Sequence, residues 1–160
     1  MNYQGTLEED REITSLLTRV FVGEGYTDKS ESEQMFVPAE LRKRGEIILA
    51  KSPGGKILGM IIFVRSTSSA SQVAEGDETE IHLLAVCPET RNQGIASRLI
   101  MTCERRAVSL GYSKMILSTQ RTMKAAHHLY EQLGYIRNSA RDWSKGTGKT
   151  YFVYEKFLRI

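Results

Sequence analysis

A strand, a loop, a helix and a second strand follow one another in the second half of the chain, and this succession restricts the fold most. Residues 80–87 form a mostly apolar run that Pro88 closes, which is typical of a strand buried on both faces of a sheet. Apolar residues then repeat every four positions from Ile95 to Ala107, and Gly111 ends the helix that they indicate. Residues 114–119 form the next strand. This order predicts a parallel βαβ unit.

Further elements are predicted on both sides of this unit. Residues 6–9, Thr-Leu-Glu-Glu, form a capping box, and apolar residues at helical spacing follow to about Gly23. A weaker helical pattern, interrupted by Pro38, covers about residues 33–44. The apolar runs 46–50 and 56–64 flank a Pro-Gly-Gly turn, which predicts an antiparallel hairpin.

The remaining segments complete a sheet with helices on both faces. Residues 66–77 are polar and aperiodic, and we expect a surface loop that is mobile rather than catalytic. A helical face covers residues 123–133, and strands are expected at 135–137 and 150–158. We therefore predict an α/β fold with a mixed, mostly antiparallel sheet of six to seven strands and a central parallel βαβ unit.

Composition excludes several classes of function. With 160 residues, 41% hydrophobic and 26% charged, the chain is expected to form one soluble domain over residues 1–160. A net charge of +3 is too small to indicate nucleic-acid binding, and no apolar run is long enough to span a membrane. No signal peptide is visible, and Cys87 and Cys103 lack metal-ligand spacing. We expect a cytoplasmic protein without a metal.

Residues 148–150, Gly-Lys-Thr, look like the end of a nucleotide-binding P-loop. That motif needs a glycine at position 143, where this chain has Trp143, and a helix after it, where this chain has a strand-like run. We interpret the segment as a turn between two strands, with Lys145 and Lys149 solvated.

The loop before the predicted helix at Ile95 is a better candidate for binding an anion. The first turn of a helix offers unpaired N–H groups and the positive end of the helix dipole. Gly94 allows a phosphate to approach the backbone, and Arg91 adds positive charge. An ordinary tight loop, with the glycine required for packing, is equally compatible with these residues.

Two longer stretches resemble a known family. "LLAVCPETRNQGIASRLI" is similar to the acetyl-coenzyme A motif of the GNAT N-acetyltransferase superfamily, and "AAHHLYEQLGY" resembles the closing segment of the same family. The resemblance covers about residues 78–137. It implies an N-acetyltransferase that transfers the acetyl group of acetyl-coenzyme A to an amine. The alternative on the same scaffold is a noncatalytic acyl-coenzyme A binding or regulatory module.

The resemblance also implies a set of coenzyme-binding residues. The main chain of Leu84, Ala85 and Val86 would run along the pantetheine arm, as an added strand would. The anion loop and the start of its helix would hold the pyrophosphate through Arg91, Asn92, Gln93, Gly94, Ile95, Ala96 and Ser97.

One position departs from the family pattern. Ser118, Met123 and Ala126 complete the implied coenzyme-binding set, but many family members have an asparagine where this chain has Met123. That contact must be lost or replaced, and residues 118–122 are the candidates to replace it.

Proton transfer needs a base for the amine and an acid for the departing thiolate. Glu80 and His82 are two residues apart on one strand, so both point to one face. By resemblance we expect Glu80, acting through a water, to be the base and His82 to be the second candidate, although a histidine pKa of about 6.5 suits neutral pH better. Tyr130 matches the family's general acid. A strand-end carboxylate, a hydrogen-bonded strand histidine and a core aromatic are the structural alternatives.

Other residues bear on the acceptor and on metals. His127 and Glu131 are expected to form a surface pair on a helix, and no metal site follows from His127 and His128. The segments 23–33 and 139–149 usually shape the acceptor pocket in this family. Their acidic residues, unless simply solvated, would suit a cationic amine, and their aromatic residues with Phe36 would suit an apolar body. The acidic residues are Glu24, Asp28, Glu31 and Glu33, and the aromatic residues are Tyr26 and Trp143. The expected partner is a small-molecule or peptide amine, and a homodimer is left open.

Overall fold

The computed structural model describes residues 6–146 and 148–159. Its helices are α1 (Leu7–Leu17), α2 (Lys29–Met35), α3 (Pro38–Arg44), α4 (Ile95–Ser109) and α5 (Lys124–Gln132). Its strands are β1 (Glu46–Lys51), β2 (Ile57–Arg65), β3 (Glu78–Val86), β4 (Lys114–Gln120), β5 (Ile136–Arg137), β6 (Trp143–Ser144) and β7 (Thr150–Phe157). None of the helices in these ranges is long and apolar enough to cross a membrane.

The strands form one seven-stranded sheet in the order β1-β2-β3-β4-β7-β5, with β6 paired to β7. Only β3 and β4 are parallel among the described pairs, and α4 connects them. The mixed, mostly antiparallel sheet with a central βαβ unit is therefore confirmed. The predicted hairpin is also confirmed, as β1 and β2.

Helices cover both faces of the sheet, as predicted. Alternate side chains of β2 enter two hydrophobic clusters, because successive residues of a strand point to opposite faces. Met60 and Ile62 pack in the cluster that includes the apolar face of α1. Ile61 and Phe63 pack in the cluster that includes the apolar face of α4. This double burial explains the continuous apolar run in the sequence.

Two predicted helices differ from those observed. Thr6 caps α1 by accepting a hydrogen bond from the N–H of Glu9 at 3.1 Å, as the capping box predicts. The chain then continues as a π-helical turn over Thr18–Val22. The weak helix predicted for 33–44 is two helices, because Pro38 has no N–H to continue α2 and instead occupies the first turn of α3.

The Gly-Lys-Thr segment lies in the turn between β6 and β7, which confirms the hairpin interpretation. The N–H of Lys145 donates to the carbonyl of Lys149 at 3.1 Å. Thr147 lies outside the described residues. The expectation that both lysines are solvated was wrong. The Nζ of Lys149 donates to the carbonyl of Tyr26 at 2.7 Å, and its side chain is only 26% exposed.

Gly45 joins α3 to β1 and packs closely against β2. A Cβ at this position would overlap the carbonyl oxygen of Phe63 on β2. We expect Gly45→Ala to lower the free energy of unfolding by about 1–3 kcal/mol, the usual cost of overpacking, as measured by urea denaturation. Gly54→Ala is the control, because a Cβ there meets only the hydroxyl of Ser52, at 3.8 Å. Equal losses in both variants would contradict the packing described here.

Candidate active site

The site begins where β3 and β4 separate. Their parallel pairing runs from Glu78 with Lys114 to Ile81 with Leu117. Leu83 has a φ of 50°, and the register with β2 shifts beside it, which marks a β-bulge. Beyond the bulge β3 stays bonded to β2, so its edge toward β4 carries main-chain groups that β4 does not pair. The strands open into two connected cavities.

The larger cavity is a groove of about 610 Å³ along the end of β3. It is lined by most of the predicted coenzyme-binding residues, namely Leu84, Ala85, Val86, Arg91, Asn92, Gly94, Ile95, Ala96, Ser97, Met123 and Ala126. Gln93 is exposed and does not line it. Ser118 lies on the second cavity instead. The fold thus brings the loop, the helix start and the strand edge to one groove.

The N-terminus of α4 lies at this groove, in a turn with the backbone geometry that is typical of anion sites. Asn92 and Gly94 both have left-handed backbone, with φ of 64° and 78°, and such a turn directs successive N–H groups into one concavity. The first N–H groups of α4 have no acceptor within the helix. A Cβ on Gly94 would meet nothing within 4 Å, so the space beside it is open.

Arg91 at the rim of the groove is paired with Glu24. Its guanidinium donates to both carboxylate oxygens, at 2.8 and 3.0 Å. This hydrogen bonding lowers the pKa of Glu24 and raises the pKa of Arg91. Glu24, which the sequence suggested for the acceptor, therefore lies at the groove.

Residues 118–122, the candidates to replace the missing asparagine, supply no side chain to the groove. Ser118 accepts a hydrogen bond from Trp143 Nε1 at 2.9 Å, and Gln120 Nε2 donates to the carbonyl of Tyr26 at 2.9 Å. The polar groups that α5 adds to the groove are His128 and Gln132. Sequence reasoning missed them, although they follow Ala125 at helical spacing on the same face.

The second cavity, of about 170 Å³, adjoins the groove. Both cavities are lined by Phe21, Leu84, Met123 and Ala126, so they meet between the end of β3 and the start of α5. The second cavity also contains His82 and Tyr130. Two of the three predicted catalytic side chains therefore lie around one space.

Glu80, the third predicted catalytic residue, is 2% exposed and lies behind this cavity. The loop predicted to be mobile folds over its carboxylate. Main-chain N–H groups of Gln72, Val73 and Ala74 donate to it, those of Gln72 and Ala74 at 3.0 and 2.6 Å, and the Ser71 hydroxyl lies at 3.3 Å. The carboxylate thus holds the loop in place.

Opposing effects act on the pKa of Glu80. Burial alone would raise it, but hydrogen bonds from His82 and from the N–H groups of Ala74 and Val73 outweigh burial and hold the pKa below its usual value. Glu80 is therefore ionised at neutral pH, with its oxygens occupied by donors.

His82 links this buried carboxylate to the cavity. Its Nε2 lies 2.6 Å from Glu80 Oε2, and its Nδ1 lies 3.2 Å from Arg44 Nη1. An arginine can only donate a hydrogen bond, so Nδ1 must be the accepting nitrogen. Nε2 must then carry the hydrogen and donate the hydrogen bond to Glu80. The basic nitrogen of the imidazole is thus the one that contacts Arg44, a residue that lines the cavity.

Tyr130 is buried on α5, and its ring lies 6.1 Å from the ring of Tyr154, centroid to centroid. Burial raises its pKa, so the phenol stays protonated at neutral pH. No hydrogen-bond partner for its hydroxyl is found in the described part of the chain. The hydroxyl therefore carries a hydrogen that no described group accepts.

The two adjacent histidines of α5 have different surroundings. The surface pair expected between His127 and Glu131 was wrong. His127 is buried, stacks on Phe152 and donates from Nε2 to the carbonyl of Gln120 at 3.0 Å. Glu131 instead accepts from the hydroxyl of Tyr154 at 3.1 Å.

Comparison with known proteins agrees with this geometry. Residues 11–135 match the Acetyltransferase (GNAT) family. Human N-acetylaspartate synthetase is 28% identical over 134 residues, which are 83% of this chain and 40% of the relative. The rat protein of the same name is 27% identical and 41% covered. The chain therefore spans about 40% of the length of these relatives.

Solved structures share the fold. A GNAT acetyltransferase of Staphylococcus aureus Mu50 superimposes with a TM-score of 0.76 at 15% identity, covering 99% of this chain and 98% of that one. An aminoglycoside 6'-N-acetyltransferase complexed with coenzyme A gives 0.70 at 18% identity, covering 100% and 97%. The chain belongs to the GNAT acetyltransferase family.

The contacts of Glu80 predict how stability depends on pH. Because the folded pKa is depressed, the stabilisation is present above the ordinary glutamate pKa of about 4.3 and is lost as the pH falls through the folded value. We expect Glu80→Gln to lose about 1.5–3 kcal/mol of unfolding free energy at pH 7. Its urea-denaturation stability should fall less than that of wild type between pH 5 and pH 3.

Glu75→Gln is the control for this prediction, since Glu75 is an exposed carboxylate in the same loop. Its unfolding free energy should stay within about 0.5 kcal/mol of wild type at pH 7. Parallel pH dependences of wild type and Glu80→Gln would refute the role given to Glu80.

Proposed function

We propose that this chain is a single N-acetyltransferase domain that moves the acetyl group of acetyl-coenzyme A to a primary amine of a small molecule or peptide. One observation carries the proposal: the groove along β3 and the cavity that contains His82 and Tyr130 meet where β3 leaves β4. A donor in the groove and an amine in the cavity would then react directly in a ternary complex.

Two parts of the groove suit two parts of the coenzyme. The open edge of β3 at Leu84–Val86 offers main-chain groups to an extended amide-containing arm, as to an added strand. The N-terminus of α4 and the space beside Gly94 suit a pyrophosphate. Acetyl-coenzyme A supplies the acetyl group as a thioester, whose carbonyl the N–H of Val86 or a neighbouring residue would polarise.

His82 is the base in this proposal, and Glu80 positions it. The acceptor amine is mostly protonated at neutral pH, so a proton must leave before nitrogen attacks. Nδ1 of His82, which lies beside the cavity-lining Arg44, can take this proton once the guanidinium no longer occupies its lone pair. Glu80 accepts a hydrogen bond from the Nε2–H group. Because Glu80 is ionised, its negative charge stabilises the imidazolium that forms. This reverses the order expected from sequence, because the loop N–H groups occupy the Glu80 carboxylate.

Tyr130 is the acid in this proposal. Its hydroxyl would give its proton to the sulfur of the departing thiolate, and its raised pKa keeps the proton in place until then. The names of the relatives, an N-acetylaspartate synthetase and an aminoglycoside acetyltransferase, support transfer to an amine without defining which one.

The direct test is release of free thiol from acetyl-coenzyme A in the presence of amines, with the acetylated product identified by mass spectrometry. The panel should include amino acids, polyamines, aminoglycosides, arylalkylamines and peptide N-termini. Turnover above the no-amine rate is expected with at least one class. Tight binding of the coenzyme without turnover would instead indicate a noncatalytic acyl-coenzyme A module.

Gly94→Val tests the anion-binding turn. The new side chain would occupy the space beside the α4 N-terminus, so coenzyme binding should be lost. Wild type should gain about 2.7 kcal/mol of stability at a hundred times the Kd of coenzyme A, and the variant should gain none in a thermal-shift titration.

Gly111→Val is the matched control for Gly94→Val. Gly111 follows the other end of α4, has a φ of 86° and is equally open, so the substitution brings the same backbone strain. It should keep the coenzyme-induced shift. Retention of the shift in Gly94→Val would contradict the proposed pyrophosphate site.

Substitutions of the proposed base and acid separate their roles. Tyr130→Phe removes only the hydroxyl, and His82→Gln removes the proposed base. Each should lower kcat by about 10²–10⁴ with the Kd for coenzyme A nearly unchanged. The acidic limb of the pH–rate profile should disappear in His82→Gln and remain in Tyr130→Phe. A loss of less than a few-fold in either variant would remove that residue from the chemistry.

A further inference from the structure

The cavity next to the groove is rich in cations. Arg44 from the end of α3, together with Lys145 and Lys149 from the β6–β7 turn, lines it. Glu31 is the one carboxylate among the described lining residues, and it lies 4.0 Å from the Nζ of Lys145 and 3.6 Å from that of Lys149. Positive charges therefore outnumber negative charges around this space.

Arg44 is partly buried without a carboxylate beside it. Among residues 6–146 and 148–159, its guanidinium contacts only the Nδ1 of His82 as a side-chain hydrogen-bond partner, at 3.2 Å. The charge of Glu40 attracts the Arg44 guanidinium, but the Glu40 carboxylate accepts a hydrogen bond from Lys43 Nζ at 3.0 Å. Glu80 lies on the far side of the imidazole. Burial lowers the pKa of Arg44, as expected for a charge that has lost water and gained no close anion.

The size and charge of the cavity together point to its ligand. A space of about 170 Å³ is smaller than the roughly 300–1,000 Å³ of sites for drug-sized ligands, so it suits a molecule of amino-acid size. A guanidinium is the side chain best matched to a carboxylate, because it can donate two parallel hydrogen bonds. Binding of a polycation would be unfavourable, because its charges would be repelled by Arg44, Lys145 and Lys149.

We infer that the acceptor is a small primary amine that also carries a carboxylate, and that Arg44 binds this carboxylate. The inference rests on the proposed function of the site and narrows its substrate class. Lys145 and Lys149 provide a positive potential that favours acceptors with further negative charge. Arg44 would thus determine the specificity of the acceptor site.

Binding of a carboxylate has a consequence for the base. In the structure Arg44 occupies the lone pair of His82 Nδ1. A carboxylate attracts the guanidinium more strongly than a neutral imidazole does, because both partners are charged. Arg44 would then turn from His82 to the ligand and leave Nδ1 open to the proton of the amine. A correct acceptor would therefore expose the base that it needs.

The first experiment compares matched acceptors on the wild-type enzyme. Glycine, β-alanine, 4-aminobutanoate, L-aspartate and L-glutamate are each measured against the corresponding amide, with kcat/KM expressed per unprotonated amine. The best acid should exceed its own amide at least tenfold. Amides or polyamines that equal or exceed every acid would overturn the inference, while their turnover would leave the proposed acetyltransferase activity intact.

The second experiment uses Arg44→Gln, which removes the charge and keeps much of the length. We expect kcat/KM for the best acid to fall about ten- to a hundred-fold, the range for loss of a charge-assisted hydrogen bond. The value for the matching amide should change less than threefold. If Arg44 served only to orient His82, acid and amide would lose equally, and that result would also overturn the inference.

Arg65→Gln is the matched control, because Arg65 is an exposed arginine at the end of β2, outside the cavity. Its kcat/KM for acid and amide should match wild type. The thermal shift with coenzyme A shows whether Arg44→Gln is folded. The comparison of acids with their amides on the wild-type enzyme does not depend on this variant. If no amine of any class is turned over, the proposed function itself fails. Turnover of carboxylate-free amines alone would instead contradict only the inference about the acceptor.

Discussion

The separation of β3 from β4 after Ile81 is the constraint on which the rest of the site depends. It is produced by a bulge in which Leu83, a residue with a full side chain, adopts a left-handed backbone. Such conformations cost of order 1–3 kcal/mol and persist where the surrounding structure requires them. Here the bulge lets β3 remain bonded to β2 while its other edge faces open space. The groove, the second cavity and the junction between them all follow from this single departure from regular pairing.

A continuous row of polar contacts crosses the sheet edge at the same place. The loop 66–77 donates main-chain hydrogen bonds to Glu80, Glu80 accepts from His82, and His82 accepts from Arg44 at the cavity. Each member fixes the protonation or the orientation of the next, because the loop amides and Arg44 can only donate and an ionised carboxylate can only accept. A carboxylate buried in an apolar sheet is thereby compensated, and the imidazole is held in one tautomer.

The sequence predicted the parts of this structure that depend on local patterns. The βαβ unit, the β1–β2 hairpin and the loop at Gly94 are encoded by periodicity and by glycine and proline at fixed positions. Contacts between distant segments could not be predicted in this way. The main-chain donors that bind Glu80 have no signature in their side chains, so the loop looked mobile. Lys149 looked solvated because its partners Tyr26 and Glu31 lie far away in sequence. Arg44 ends a short helix whose place in the fold is set by packing on the sheet, and nothing in its neighbours indicates that it reaches His82.

In the proposed mechanism, donor and acceptor occupy the two connected cavities at the same time and react directly. Initial-velocity measurements in which acetyl-coenzyme A and an accepted amine are both varied distinguish this mechanism from one with a covalent intermediate. Direct attack in a ternary complex predicts double-reciprocal lines that intersect. Parallel lines, together with acetylation of the enzyme itself in the absence of amine, would show a covalent intermediate and would contradict direct transfer.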